Sequence, residues 1–275
     1  MQCVETGQYF ARFTMGDIEI VALSDGHLDG PTTRLRKPGN AVFADDLPPE
    51  IPLFDGKLRL SVNAFLVRVG DDFTLIDTGA SNAWLPTMGR LFDALDEAGI
   101  ARGSITTVAL THTHEDHVFG LVAPDGNDGF PNLKRLLVPA KEIDLFRQFP
   151  SLKRFHDRCT PLEDGFRLSD CIVAVATPGG HEVGHTAFEV KDAGSTLLIW
   201  GDIVHVPSVQ FAKPHLTWEF DADQDVARAT RIDMLRRVSK PKTYIAGSHL
   251  DFPGVGSVIS SGETYHFVPI DLGSE

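Results

Sequence analysis

The stretch from Ile105 to His117 reads ITTVALTHTHEDH. Its first half, Ile105 to Leu110, is a β-branched, apolar run of strand length, the pattern of a strand buried on both faces. Its second half carries His112, His114, Asp116 and His117, four metal-ligand side chains within six residues. A strand end is a rigid place from which to launch ligands. His112 and His114 stand two apart, so in extended backbone their side chains point to the same side. Asp116 and His117 follow where the chain turns. This is more than one ion normally takes from a single loop. Neutral imidazoles with a carboxylate suit zinc, with manganese, cobalt or iron compatible. Clustered imidazoles pack poorly without a partner, which disfavours a merely His-rich polar turn.

Further donors stand at other strand ends, each beside small residues. The predicted strand Ile172 to Thr177 is followed by Pro178-Gly179-Gly180-His181, Thr196 to Trp200 by Gly201-Asp202, and Lys242 to Ala246 by Gly247-Ser248-His249. With the first loop they make five histidines and two carboxylates.

An H-x-H-x-D-H run followed by a distant His, Asp and His resembles the metallo-β-lactamase superfamily, from Asp77-Thr78-Gly79 to the end of the chain. The resemblance implies an α+β αβ/βα sandwich, two mixed β-sheets flanked by helices. It implies two metal ions: His112, His114 and His181 on the first, Asp116, His117 and His249 on the second, and Asp202 bridging both. Relatives often read T-P-G-H before the third histidine, where this chain has a second glycine. His181 is aligned rather than His185, because His181-x-x-Gly184-His185 matches the family's H-x-x-G-H. His185 then supports the ligands from behind. Asp77 resembles the family carboxylate that orients the first histidine loop, a turn or helix-capping role being the alternative.

The bridging Asp202 disfavours antibiotic hydrolysis, since most β-lactamases of the superfamily lack an aspartate there. Thr113 between the histidines and the return to a strand at the C-terminus disfavour a glyoxalase II. Residues 201–211, 248–256 and 265–269 look closest to the methyl parathion hydrolase and arylesterase-lactonase branch. Branch membership does not decide the substrate. The expected reaction is hydrolysis of a carboxylic ester or lactone by a hydroxide held between the metals. Asp116, Asp202 and His205 are the candidate catalytic side chains. His205, three residues past Asp202, stands where acyl-homoserine lactonases usually carry a tyrosine; the alternative is a buried histidine satisfied by backbone. Phe119, Trp84, Trp218 and Phe220 are candidates for an apolar pocket wall, against the commoner role of core packing. The rivals are a phosphotriesterase on the same site, an iron-dependent redox enzyme of the same fold, and a non-enzymatic metal-binding protein.

The 275 residues are 42% hydrophobic and 23% charged, ordinary globular composition, with a formal net charge of −13. That charge argues against nucleic acid and anionic membrane as partners and for a small-molecule substrate. The three cysteines suggest neither a disulfide scaffold nor a zinc knuckle. Without a signal-peptide pattern or an apolar run of spanning length, a cytoplasmic protein is expected. Thr32 to Pro52 reads as a long surface loop, a lid or the arm of a homodimer. Other predicted strands are Ile18 to Leu23, Asn63 to Val69, Phe73 to Ile76, Leu133 to Val138, Thr186 to Val190 and Tyr265 to Ile270. Helices are predicted over Leu85 to Ala98, Lys141 to Phe149 and Ala222 to Val238, the last with Val226, Ala229, Met234 and Val238 inward. No linker composition interrupts the chain, so residues 1–275 read as one domain.

Overall fold

The run around Val108 lies inside an eight-stranded sheet, buried on both faces. The structure, a computed structural model, describes residues 1–273. The first strands are β1 (Gln2–Thr6), β2 (Phe10–Met15), β3 (Ile18–Pro31), β4 (Leu35–Arg36), β5 (Lys57–Val69) and β6 (Asp72–Ile76). There follow β7 (Thr107–Ala109), β8 (Arg135–Pro139), β9 (Cys159–Leu162), β10 (Ile172–Ala176) and β11 (Thr186–Asp192). Last come β12 (Ser195–Ile199), β13 (Thr217–Trp218), β14 (Thr243–Ala246), β15 (Val255–Ser261) and β16 (Thr264–Pro269). The helices are α1 (Leu91–Glu97), α2 (Glu115–Val118), α3 (Ile143–Phe146), α4 (Pro207–Gln210) and α5 (Gln224–Val238).

One sheet has the order β1-β2-β3-β5-β6-β7-β8-β9, the other β10-β11-β12-β14-β15-β16. Both are mixed: β6 to β9 run parallel, as do β12 and β14, among antiparallel neighbours. Alternation decides what lies between them. Phe13, Ile20, Phe65 and Ile76 from the first sheet meet Ile172, Phe188, Val190 and Ile199 from the second in one apolar layer. The first sheet's other face packs on Leu91, Leu95 and Ala98 around α1, the second's on Met234, Leu235 and Val238 of α5. This is the expected sandwich of two mixed sheets flanked by helices.

Several boundaries differ from expectation. β1, β2 and β15 went unpredicted, their alternation being diluted by polar and small residues. Helix α1 starts at Leu91 rather than Leu85, because Pro86 and Gly89 (φ 85°) hold residues 85–90 in a turn. A side chain at Gly89 would strike the Ser81 carbonyl. The helix predicted over Lys141 to Phe149 shrinks to the four residues of α3, and Pro150 opens a 3-10 segment to Arg158. In α5, Val226 and Ala229 face outward; Ala227 and Arg231 occupy the inner stripe with Met234, Leu235 and Val238.

Residues 32–52 are more than a surface loop. Their β4 pairs with β13, and Leu35 and Phe43 are buried with Leu28, Leu60 and Trp218. The three cysteines are free, and among the described residues no helix is long and apolar enough to cross a membrane.

Candidate metal centre

The donors all follow the C-terminal ends of strands, β7 in the first sheet and β10, β12 and β14, which run the same way, in the second. The fold therefore gathers residues far apart in sequence at one edge of the sandwich. His112 Nε2 lies 3.1 Å from His114 Nδ1, which lies 2.9 Å from His181 Nε2. Asp116, His117 and His249 form a second convergent group. Asp202 stands between: Oδ2 is 3.7 Å from His112 Nε2 and 2.9 Å from His249 Nε2, while Oδ1 is 3.4 Å from His117 Nε2. Gly201 makes this approach possible, with φ 56° and its α-carbon packed so tightly that a side chain would meet His185 and Thr111.

Oxygens behind the site turn most of these rings inward. Asp77 Oδ1 accepts from the Thr111 amide, and Oδ2 accepts from Thr111 Oγ1 (2.8 Å) and His117 Nδ1 (2.9 Å). With its proton on Asp77, Thr111 Oγ1 is left to accept from His112 Nδ1 at 3.1 Å. His181 Nδ1 donates to Asp221 Oδ1 at 2.8 Å, and His249 Nδ1 to the Ser61 carbonyl at 2.7 Å. Each bond leaves Nε2 with its lone pair toward the cluster, the tautomer a metal requires. His114 is the exception, presenting Nδ1 while Nε2 lies 3.1 Å from Glu182. His185 stands behind Asp202, accepting from its amide at 3.1 Å.

Burial pushes the His112 imidazole well below its ordinary pKa, and His185 down to about 3. Burial would also lower His117, but Asp202, Asp116 and Asp77 outweigh it and hold that ring well above its ordinary value, so a cation binding there would displace a proton from Nε2. Burial would raise Asp202; His249, His117 and His112 instead hold it well below the carboxylate range. His117 Nε2 and Asp202 Oδ1 are buried without a hydrogen-bond partner. Buried orphans of this kind are costly, and two convergent groups of lone pairs fit two divalent ions.

The family model described as "Metallo-beta-lactamase superfamily" matches residues 58–249. The chain belongs to that superfamily. It is 31% identical over 227 residues to the probable metallo-hydrolase YybB of Bacillus subtilis (strain 168), covering 78% of this chain and 90% of the relative. The solved structure of hydrolase AbOPH, in the beta lactamase superfamily, superposes with a TM-score of 0.83 at 26% identity, over 98% of this chain and all of that one. AidC, a dizinc quorum-quenching lactonase, superposes with a TM-score of 0.82 at 21% identity, over 97% of this chain and 99% of that one. The protein is a metallo-hydrolase of the metallo-β-lactamase fold.

Over the metal centre opens a cavity of about 310 Å³. His114, Glu115, Asp116, His181, Asp202, His205 and His249 line its floor, and Leu28, Arg34, Leu60, Trp84, Trp218 and Phe220 its walls. Trp84 and Phe220 are half exposed at the mouth, whereas Trp218 is buried and stacks on His205, ring centroids 5.4 Å apart. Phe119 is a correction. It does not reach the cavity but packs edge-on against Phe149 beside the α1 core, because α2 turns it away from the ligand loop.

Sequence reasoning missed Asp221, Arg231, Glu142 and Arg34. Asp221 also accepts from the Trp218 amide at 2.9 Å and faces the buried Arg231 guanidinium at 3.4 Å. Glu142 accepts from Thr113 Oγ1 at 2.9 Å and the Gly184 amide at 3.0 Å, tying two ligand loops together, and burial pushes its carboxyl up to about 7. Arg231 left a trace in its place on the 227-231-234-238 stripe. The other three read as ordinary surface residues.

Proposed function

We propose that this hydrolase cleaves a carboxylic ester or lactone at a dinuclear, zinc-type centre. The observation that carries the reading is His205. Its ring is buried beside Asp202, Nε2 at 3.6 Å from Oδ2, and neither ring nitrogen has a partner. Stacking on Trp218 and His249 holds the ring in place, and the His205 backbone amide donates to Gln210 Oε1 at 2.8 Å. Burial pushes its pKa well below the ordinary value, so the ring is neutral and offers one N–H. A substrate carbonyl or leaving oxygen entering the cavity would satisfy that donor.

His112, His114, His181, Asp116, His117, His249 and Asp202 would hold two divalent ions, which would supply an activated water and a Lewis acid. Asp202 orients the two ligand groups about one point. The Asp116 carboxylate on the cavity floor can take the proton lost by the attacking water and hand it to the leaving oxygen. Trp218, Leu28 and Leu60 exclude bulk water and strengthen every polar contact at the floor. The lactonase among the structural neighbours is in keeping with this reading.

The test uses metal-loaded protein with an aryl ester, an aryl lactone and a neutral phosphotriester. The expected result is chelator-sensitive turnover of the carbonyl substrates, with kcat/KM at least tenfold above the phosphotriester. His205→Leu should lower kcat/KM on the lactone by roughly 10–1,000-fold, as for one lost transition-state donor. It should lower phosphotriester turnover less. Phosphotriester preference in the wild type, or parallel loss of both activities with a lowered melting temperature, would overturn the reading.

A further inference from the structure

We propose that Arg34 recognises a carboxylate on the substrate, remote from the scissile bond, so that the preferred ester or lactone carries an acid group on its acyl or alcohol part. This rests on the ester and lactone reading above. Arg34 ends the 3-10 turn Thr32–Arg34 that follows β3, and it lines the same cavity as Asp202 and His205. It is the only Arg or Lys on that cavity's wall among the described residues. Its side chain is 29% exposed. The guanidinium lies over the Phe220 ring, 4.8 Å from the centroid, which fixes its plane.

Its one ion pair is long and leaves its donors unbonded. The nearest carboxylate, Glu219, approaches Nε only to 3.8 Å and is bonded to Arg36 instead. Among the described residues the Arg34 guanidinium makes no hydrogen bond. A planar cation held against an aromatic ring, with its donor fork free, matches a carboxylate bidentately. A neutral amide would occupy one donor and leave the charge balanced only by the long Glu219 pair, beside leucines and aromatics. The chain's net charge of −13 repels anions at long range, and Arg34 is the cationic side chain on the wall that can hold a carboxylate away from the floor, where Glu115, Asp116 and Asp202 lie.

The experiment pairs aryl half-esters of straight-chain dicarboxylic acids with methyl-ended esters of the same length, on metal-loaded wild type, Arg34→Met and Arg34→Lys. Calorimetric binding of the free diacid against the monoacid of equal length runs beside it. Wild type should favour the half-ester, chiefly through KM. Arg34→Met should cut the half-ester to neutral-ester ratio of kcat/KM by roughly 10–100-fold, the worth of a charge-assisted pair, and erase the diacid preference. Arg34→Lys should retain part of both. Ester turnover with no half-ester preference, or with one unchanged in Arg34→Met, overturns the role of Arg34 and leaves the ester reading standing. An Arg34-dependent preference confined to a neutral terminal amide also overturns it. No ester or lactone turnover, with diacid binding still dependent on Arg34, overturns the ester reading and supports Arg34.

Discussion

Asp202 concentrates the electrostatics of the site: four imidazole nitrogens, of His112, His117, His205 and His249, lie within 3.7 Å of its two oxygens, and Oδ1 has no hydrogen-bond partner. Asp202→Asn is nearly isosteric but removes the anion. We expect the fold to survive, shown by unchanged circular dichroism, while kcat/KM falls by two or more orders of magnitude, roughly 3 kcal/mol or above. Near wild-type turnover with full metal content would mean that Asp202 does not bridge. Asp221 works one step back. It keeps the proton of His181 on Nδ1 and faces the buried Arg231. Asp221→Asn should weaken metal binding about 10–100-fold in a competitive chelator titration, as for other groups that orient a ligand. Equal affinity in wild type and variant would reduce Asp221 to a purely structural partner of Arg231.

At the scale of elements, the segment after β6 carries Trp84 to the mouth of the cavity, and Asp25 of β3 pins it. Asp25 is fully buried, its oxygens accepting from the Ala80 amide at 2.8 Å and the Leu91 amide at 3.0 Å. Burial pushes its carboxyl up to about 7 from an ordinary 3.8. Between those values the folded chain binds a proton that the unfolded chain has released. Stability contributed by Asp25 is therefore greatest at acid pH and falls as pH rises from about 4 to about 7, by up to ~1.4 kcal/mol per pH unit. Melting temperatures across that window should show the slope in metal-free wild type and a flatter one in Asp25→Asn. An identical slope in both would place the titration elsewhere. The β4–β13 pair is the other element that shapes the site, since it seats Trp218 against His205 and brings Arg34 to the wall.

For the whole molecule, metal held at this centre would couple the two sheets, because the candidate ligands follow strands of both. Metal binding must then stabilise the complete fold. At free metal about 100-fold above Kd, each site should add about 2.7 kcal/mol. That corresponds to a rise of roughly 5–10 °C in melting temperature for a chain of this size. Chelation should reverse the rise, and metal analysis of the active protein should give two ions per chain. One ion at full activity, with no second thermal step on adding metal, would reject the dinuclear centre.

The candidate metal ligands were legible in the sequence because each is a His or Asp in the loop that follows an apolar strand, and strand ends are rigid. So were the buried strands, from β-branched runs such as Ile105 to Leu110. The walls of the cavity were not. Leu28 and Leu60 read as ordinary strand residues, and Arg34 as part of a polar loop. Phe119, two residues past the pair Asp116-His117, was expected at the wall and packs against the core. Asp221, Glu142 and Arg231 carry no local pattern either; they matter only because the fold buries them against a ligand, a ligand loop or one another. Ligand identity follows from chemistry written at single positions and from local backbone period. Which side chains surround the ligands depends on how β3, β5, the β4–β13 pair and α5 pack over the strand ends, a long-range property that only the tertiary structure decides.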